Sequence, residues 1–318
     1  MVGGAVFGSS CVATSITPSS TTVRPSLNVS KLRGPGESTD ARIESMTNAI
    51  DSALGGTVLV IPAYNEALAI GDVLARCVPI APRIIVVDDG SNDGTWPVIA
   101  AHPVIALRHS TNRGKAAALR TGINQALEAG ADRVITLDAD GQHRPEDLTR
   151  LLAAAAGAPG AIVTGSRRAD GDRAPRARYW ANRVADFWIS WAAGQSIEDT
   201  QSGFRLYPAT VLWQLLGRVG RSRGFAFESE ILIEAGRAGV PIVAVPIPAL
   251  YGGITLRASH FWPLRDIPKI ALMVGWKLVS RGLFPASLWR LLLMRTRPHA
   301  AASPAQPAAA PLGHATVD

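Results

Sequence analysis

The chain has 318 residues, 47% of them hydrophobic, and a formal net charge of +7. That length allows one large or two small domains, and that apolar content excludes global disorder. Its two cysteines, Cys11 and Cys77, exclude a disulfide framework and a cysteine zinc site, so a reducing compartment is expected.

Residues 1–55 are rich in Ser, Thr, Gly and Pro, lack periodicity, and read as a disordered extension. No basic stretch precedes a solid apolar run there, so no secretory leader is expected. Strands and helices then alternate. "TVLVIP" (57–62) reads as a buried strand and "EALAIGDVLARC" (66–77) as a helix. "RIIVVDD" (83–89) is a strand, followed by the turn "GSNDG", a short helix and the strand "PVIALR" (103–108). The helix "GKAAALRTGINQALEAG" (114–130), the strand "RVITLDAD" (133–140), a helix near 145–156 and the strand "GAIVTGS" (160–166) continue the pattern. Near-continuous Val/Ile runs separated by amphipathic helices predict an α/β fold with a parallel sheet covered on both faces.

The second half differs. "RYWANRVADFWISWAAG" places Val184, Phe187, Trp188 and Trp191 on one helical face, either core packing or a groove for an apolar acceptor. "DTQSGFRLYP", a short helix, the helix "FESEILIEAGRAG" and the strand "VPIVAVPIP" follow. In "DIPKIALMVGWKLVSRG" Asp266, Lys269, Lys277, Ser280 and Arg281 share one sector, and Ile270, Met273, Val274, Trp276 and Leu278 fill the rest. No run of about 20 uncharged apolar residues exists, so no transmembrane span is predicted. Between 257 and 297, Arg257, Arg265, Lys269, Lys277, Arg281, Arg290, Arg295 and Arg297 face Asp266 alone, which equals the net charge of the whole chain. A basic excess confined to one apolar end fits an anionic membrane surface and disfavours nucleic acid. Helices lying on a membrane and helices packing on the domain are both open readings of 256–297. Residues 298–318 read as an Ala/Pro-rich flexible tail.

Ligands of a parallel sheet bind beyond the carboxyl ends of its strands, where the unusual residues fall. In "VITLDADGQH" strand alternation would turn Asp138 and Asp140 to one side. Two adjacent carboxylates raise one another's pKa unless a cation separates them, and Mg²⁺ or Mn²⁺ would do so while recruiting phosphate oxygens. Gln142 can add a neutral oxygen; His143 offers a ring nitrogen but is more simply a hydrogen-bonding residue. In "VVDDGSNDGT" Asp88 or Asp89 can accept from a nucleobase or ribose, and Asn92, Asp93 and Gly94 read as a turn. Arg113 and Lys115 flank Gly114 at a helix start, a setting that favours an anion. Neither a Walker A loop nor Gly-x-Gly-x-x-Gly is present, which disfavours a dinucleotide enzyme.

"VIPAYNE", "VVDDGSNDGT", "NRGKAAALRTG", "LDADGQH", "TGSR" and "DTQSGFRLYP", in this order over residues 56–250, resemble the family 2 glycosyltransferases. The branch they resemble is the polyprenyl-phosphate (dolichol-phosphate) mannose and glucose synthases. The resemblance implies a GT-A fold, a Rossmann-like, mainly parallel sheet flanked by helices, spanning 56–255. It gives Pro62, Ala63, Tyr64 and Glu66 to the nucleotide, Asp89 to the base with Asp88 beside it, and Asp138, Asp140 and Gln142 to the metal and sugar. Arg167 falls near the acceptor, with Ser202 and Arg205 near its phosphate. Arg257 is a further phosphate contact, although "LYGGITLRASHFWP" departs from the usual spacing. Ala244 stands where the family usually has Glu.

The implied reaction is inverting transfer of a hexose from a GDP- or UDP-hexose, aided by Mg²⁺ or Mn²⁺ as Lewis acid. A lipid phosphate acceptor is ionised near neutrality and needs no base; an alcohol acceptor would need one, with Asp199 or Glu198 as candidates. A polyprenyl phosphate on the cytoplasmic face of the membrane is therefore the expected acceptor. The alternative is a transferase acting on a soluble or glycan hydroxyl. A non-catalytic nucleotide-sugar-binding protein is a third reading, against which the intact Asp138/Asp140 pair stands. Gln-x-x-Arg-Trp and multiple spans are missing, which argues against a processive synthase.

Overall fold

A computed structural model describes residues 55–167, 176–219, 226–248 and 263–280, with 285, 288 and 289. The expected N-terminal extension up to 54, Arg257, most of the apolar segment 283–294 and the tail 298–318 lie outside the described residues.

β1 (Thr57–Ala63), β2 (Ile84–Asp88), β3 (Ile105–Arg108) and β4 (Arg133–Thr136) are linked through α1 (Ile70–Cys77), α2 (Thr95–Ala100) and α3 (Lys115–Glu128). A short 3₁₀ turn (Pro145–Asp147) and α4 (Leu148–Gly157) lead into β5 (Ile162–Ser166). Then come α5 (Arg176–Ala193), β6 (Arg205–Pro208), α6 (Ala209–Leu216), α7 (Ala226–Arg237), β7 (Ile242–Pro246) and α8 (Pro263–Val279). The sheet has seven strands in the order β3-β2-β1-β4-β6-β5-β7.

Period-two alternation explains the apolar runs. Val58 and Val60 of β1 join Ile85 and Val87 of β2 under α3, against Ala116, Leu119, Ile123 and Ala126. Leu59 and Ile61 join Ile84 and Val86 on the other face, under Ile70, Val73, Leu74 and Ile99. Helix α3 lies close because Gly122 faces the sheet: a Cβ there would stand 2.4 Å from Val60 Cγ1.

The pairs β1/β2, β1/β4, β2/β3 and β5/β7 are parallel and β6 runs antiparallel to both β4 and β5, so the sheet is mainly parallel, as the resemblance implies, with one reversed strand. "RLYP" carries no Val/Ile run; its strand is imposed by neighbours that bury Leu206 and Tyr207 completely. The strand expected over 133–140 stops at Thr136, where the pairings with β1 and β6 end. Asp138 and Asp140 therefore stand in the turn beyond the sheet, and strand alternation does not bring them together.

Helix α5 meets the core-packing reading only in part: Trp191 packs partly buried against the core, and Phe187 is half-buried. Its inner side is Asp186, Ile189, Ser190, Ala192 and Ala193, whereas Trp180, Val184 and Trp188 are exposed. Phe187, Trp188 and Trp191 form a chain of ring contacts, with centroids 5.3–6.2 Å apart. Helix α8 packs on α5 and α7 through Val274 and Leu278. Lys277, expected on an outward cationic sector, turns inward, because Glu230 and Glu234 of α7 take its ammonium at 2.9 and 2.5 Å. Arg237 adds hydrogen bonds to the carbonyls of Ala192 and Lys277. Among the described side chains of α8, those turned outward are apolar, with Leu272, Trp276 and Val279 the large ones. No described helix is long and apolar enough to cross a membrane.

Candidate active site

Because β6 is reversed, its first residue, Arg205, pairs with the last of β4, Thr136. The loop that enters β6 thus meets the ends of β1, β2, β4 and β5 on one edge of the sheet. Every described candidate residue lies at or beside that edge.

After β1, Asn65 adopts a left-handed φ of 54°, which asparagine tolerates. The turn is stitched to the one after β2. Asn65 N–H donates to Ser91 Oγ, Asn92 N–H to Asn65 Oδ1, and Glu66 N–H to Thr95 Oγ1, at 2.7–2.9 Å. Asp93 accepts from Thr95 N–H, as a turn residue should. Pro62 and Ala63 are buried, while Tyr64 and Glu66 are half-buried.

Asp88 and Asp89 are buried and committed to protein partners. Asp88 Oδ1 accepts Ser91 N–H, and its other oxygen lies 3.1 Å from Arg108 Nε. Asp89 accepts N–H bonds from Arg113 and Gly114 and sits 2.6 Å from His109 Nδ1. Asp89 thereby fixes the loop that starts α3, a role sequence reading did not foresee. Arg113 keeps its side chain at the exposed rim.

The centre is a charge cluster. Lys115 Nζ lies 2.7 Å from Asp138 Oδ1 and 2.9 Å from Glu228 Oε2, on α7. Burial opposes its charge, but the two carboxylates prevail and hold the ammonium above its ordinary pKa. Burial likewise works against ionised Asp138; Lys115, His143 and Arg167 outweigh it and hold that carboxyl low. Asp140 goes the other way, raised by burial and then by the charge of Asp138. It accepts Gln142 N–H at 3.0 Å. Asp138 is packed against Gly203, where a Cβ would stand 2.3 Å from Oδ2. His143 is buried, tilts against Phe204 at 5.6 Å, and has no hydrogen-bond partner at Nδ1. Burial and then Arg167 push its pKa down to about 4, so it is neutral at pH 7.

On the far side Asp199, at φ 47°, accepts Arg167 Nε and backbone N–H at 2.9 Å and Nη2 at 3.0 Å. Burial is outweighed by this fork, and the Asp199 carboxyl is held below its usual range. Ser202 is buried. Arg205 is buried too: it donates to the carbonyls of Thr200 and Glu228 and to Tyr207 Oη. It braces the loop from beneath instead of opening to solvent. Asp186 of α5 secures the same loop by accepting Thr200 N–H and Oγ1–H, each at 2.8 Å. Sequence reading missed Asp186, Gly203 and Glu228. "FESEILIEAG" carries no motif, and only the tertiary contact distinguishes Glu228.

Cations, carboxylates and loops thus converge on the carboxyl edge of a mainly parallel sheet, the place where sheets of this kind bind their ligands. Residues 58–218, half of the chain, match Glycosyl transferase family 2, and the protein belongs to that family. It is 31% identical to a UDP-N-acetylglucosamine–dolichyl-phosphate N-acetylglucosaminyltransferase of Methanococcus voltae, over 71% of this chain and 94% of that one. It is 33% identical to an undecaprenyl-phosphate mannosyltransferase of Micrococcus luteus, over 59% and 81%. To a polyprenol monophosphomannose synthase of Mycolicibacterium smegmatis the figures are 34%, 60% and 76%. Among solved structures, glucosyl-3-phosphoglycerate synthase of Mycobacterium tuberculosis with Mg²⁺ and UDP superposes with TM-score 0.52 at 21% identity, covering 79% of this chain and 85% of that one. At that identity the likeness concerns the fold, and it agrees with the GT-A architecture. The chain is a glycosyltransferase whose relatives carry names of sugar transferases to polyprenyl phosphates.

Proposed function

We propose that this enzyme transfers a hexose from a GDP- or UDP-hexose to a polyprenyl phosphate, with inversion and with Mg²⁺ or Mn²⁺. Pro62, Ala63, Tyr64, Glu66, Asp88, Asp89, Arg113 and Lys115 form the donor side. The metal would be held by Asp138, Asp140 and Gln142. Among the described residues no group of three His, Cys, Asp or Glu side chains is arranged as a metal cage. Two carboxylates and an amide oxygen nonetheless suit a hard cation that keeps waters and shares substrate phosphates. Burial and then the charge of Asp138 raise the proton affinity of Asp140, and a cation beside the two carboxylates would offset both, which supports the fit. The bound cation would supply Lewis-acid neutralisation of the departing diphosphate.

The observation that carries the acceptor reading is the Arg167–Asp199 fork. An alcohol acceptor needs a base within reach, and Asp199, ion-paired and held low, is a poor one. A phosphate monoester is already nucleophilic at pH 7 and needs cations to orient it. Arg167 is assigned to that side, with Ser202 and Arg205 bracing the loop that presents it and Arg257 as a further phosphate contact. The outward apolar residues of α5 and α8, with the basic end of the chain, support seating on the cytoplasmic face of a membrane.

The test incubates purified protein with GDP-mannose, UDP-glucose or UDP-N-acetylglucosamine, each with Mn²⁺ or Mg²⁺, with and without a polyprenyl phosphate. Sugar is expected in the lipid product of one donor and only with metal. Transfer to a soluble alcohol at equal rate would overturn the acceptor reading. Asp140→Ala should lose turnover by at least about 10³-fold while keeping its melting curve; full activity with metal stripped would end the metal role.

A further inference from the structure

Lys115 and Asp138 are both assigned to the site, one to the donor phosphates and one to the cation, yet they are bonded to each other. The ammonium is shared between Asp138 Oδ1 at 2.7 Å and Glu228 Oε2 at 2.9 Å, with 21% of the lysine side chain exposed. Glu228 comes from α7, remote in sequence from every motif read above, and its backbone carbonyl is tied down by Arg205. A lysine ammonium this close to Asp138 repels any second cation on the same carboxylate, and in a half-buried site that repulsion is only weakly screened.

We propose that Lys115 competes with the divalent cation for Asp138, and that Glu228 is the positioning residue that sets the outcome by offering the ammonium a second carboxylate. With Glu228 in place the lysine can lean away from Asp138 without losing its counter-charge, and it remains beside the site to meet the donor diphosphate. Without Glu228 the ammonium loses one of its two carboxylates and is drawn more strongly onto Asp138. Cation and nucleotide would then be coupled: drawing Lys115 onto a diphosphate relieves Asp138 and favours the metal, and by linkage the metal favours the nucleotide. The inference rests on the proposed metal role of Asp138 and Asp140.

The test is direct Mn²⁺ binding, followed by electron paramagnetic resonance on the full chain without nucleotide, so that affinity is read independently of turnover. Lys115→Gln should bind Mn²⁺ about tenfold more tightly than the wild type, although it should turn over more slowly. Glu228→Gln should bind several-fold more weakly, about the reverse effect. The double variant K115Q/E228Q also removes the carboxylate that K115Q leaves unpaired, and it should bind like K115Q, because Glu228 acts only through the lysine. A merely structural role for Glu228 would lower the melting temperature without this sign pattern. Equal or weaker binding by both K115Q and K115Q/E228Q overturns the inference while leaving the metal reading standing. No Mn²⁺ binding by any of the four proteins removes the metal reading and the inference with it.

Discussion

At the residue scale, tight packing around one carboxylate decides what the site tolerates. Gly203 brings its backbone against Asp138, so Gly203→Ala must displace the carboxylate or the loop. Turnover should fall by about 10²-fold or more, since sub-ångström placement governs such steps; Mn²⁺ binding and a progress curve check it. Asp199 gives a pH signature. Its folded pKa lies below the unfolded value of about 3.9, so its contribution is full above that value and is lost as pH falls through the folded pKa. Asp199→Asn should cost about 3 kcal/mol at pH 7, because it takes the forked counter-charge from the largely buried Arg167 guanidinium. Denaturant melts should show that gap constant above about pH 5 and closing at lower pH. That the motif residues gather at one edge was legible in the sequence, because strand-end carboxylates and helix-start cations fall where such a sheet binds its ligands. Their partners were not: Asp89 holding Gly114, Arg205 facing inward and Glu228 meeting Lys115 depend on contacts 23–113 residues apart in the chain.

Among the elements, those with long Val/Ile runs were predicted almost to the residue, because both faces of β1 and β2 are buried and alternation leaves one solution. The failures share a cause. β6 and the early end of β4 are fixed by neighbours, not by local pattern, and the outward tryptophans of α5 look identical to core residues when read by spacing alone. Helix α8 shows the same ambiguity in its charges, since nothing local tells an inward lysine from a solvated one. Its latch can be tested. Lys277→Met removes the ammonium from between Glu230 and Glu234 and should cost about 3 kcal/mol, because two buried carboxylates lose a shared counter-charge and Arg237, 3.5 Å from Glu234, replaces it only in part. Hydrogen exchange over 263–280 should accelerate while the amides of β1 stay protected.

Across the whole molecule, the outward apolar residues of α5 and of α8 predict attachment by apolar insertion aided by charge. Flotation with anionic vesicles should capture the chain at low salt and release only part of it at high salt, since screening weakens the charge term alone. Trp188→Ser with Trp276→Ser should abolish the salt-resistant fraction. The reversal of β6 has a further consequence. It lets a segment that begins at β5 deliver its loop to an edge already built by residues 57–140, so the two halves of the site come from separate, consecutive stretches of gene. The enzyme is thus divisible along its coding order. Exchanging residues 162–248 with the matching stretch of a relative that keeps a glutamate at the place of Glu228 should re-target the recipient of the sugar while the donor preference of the original chain is inherited.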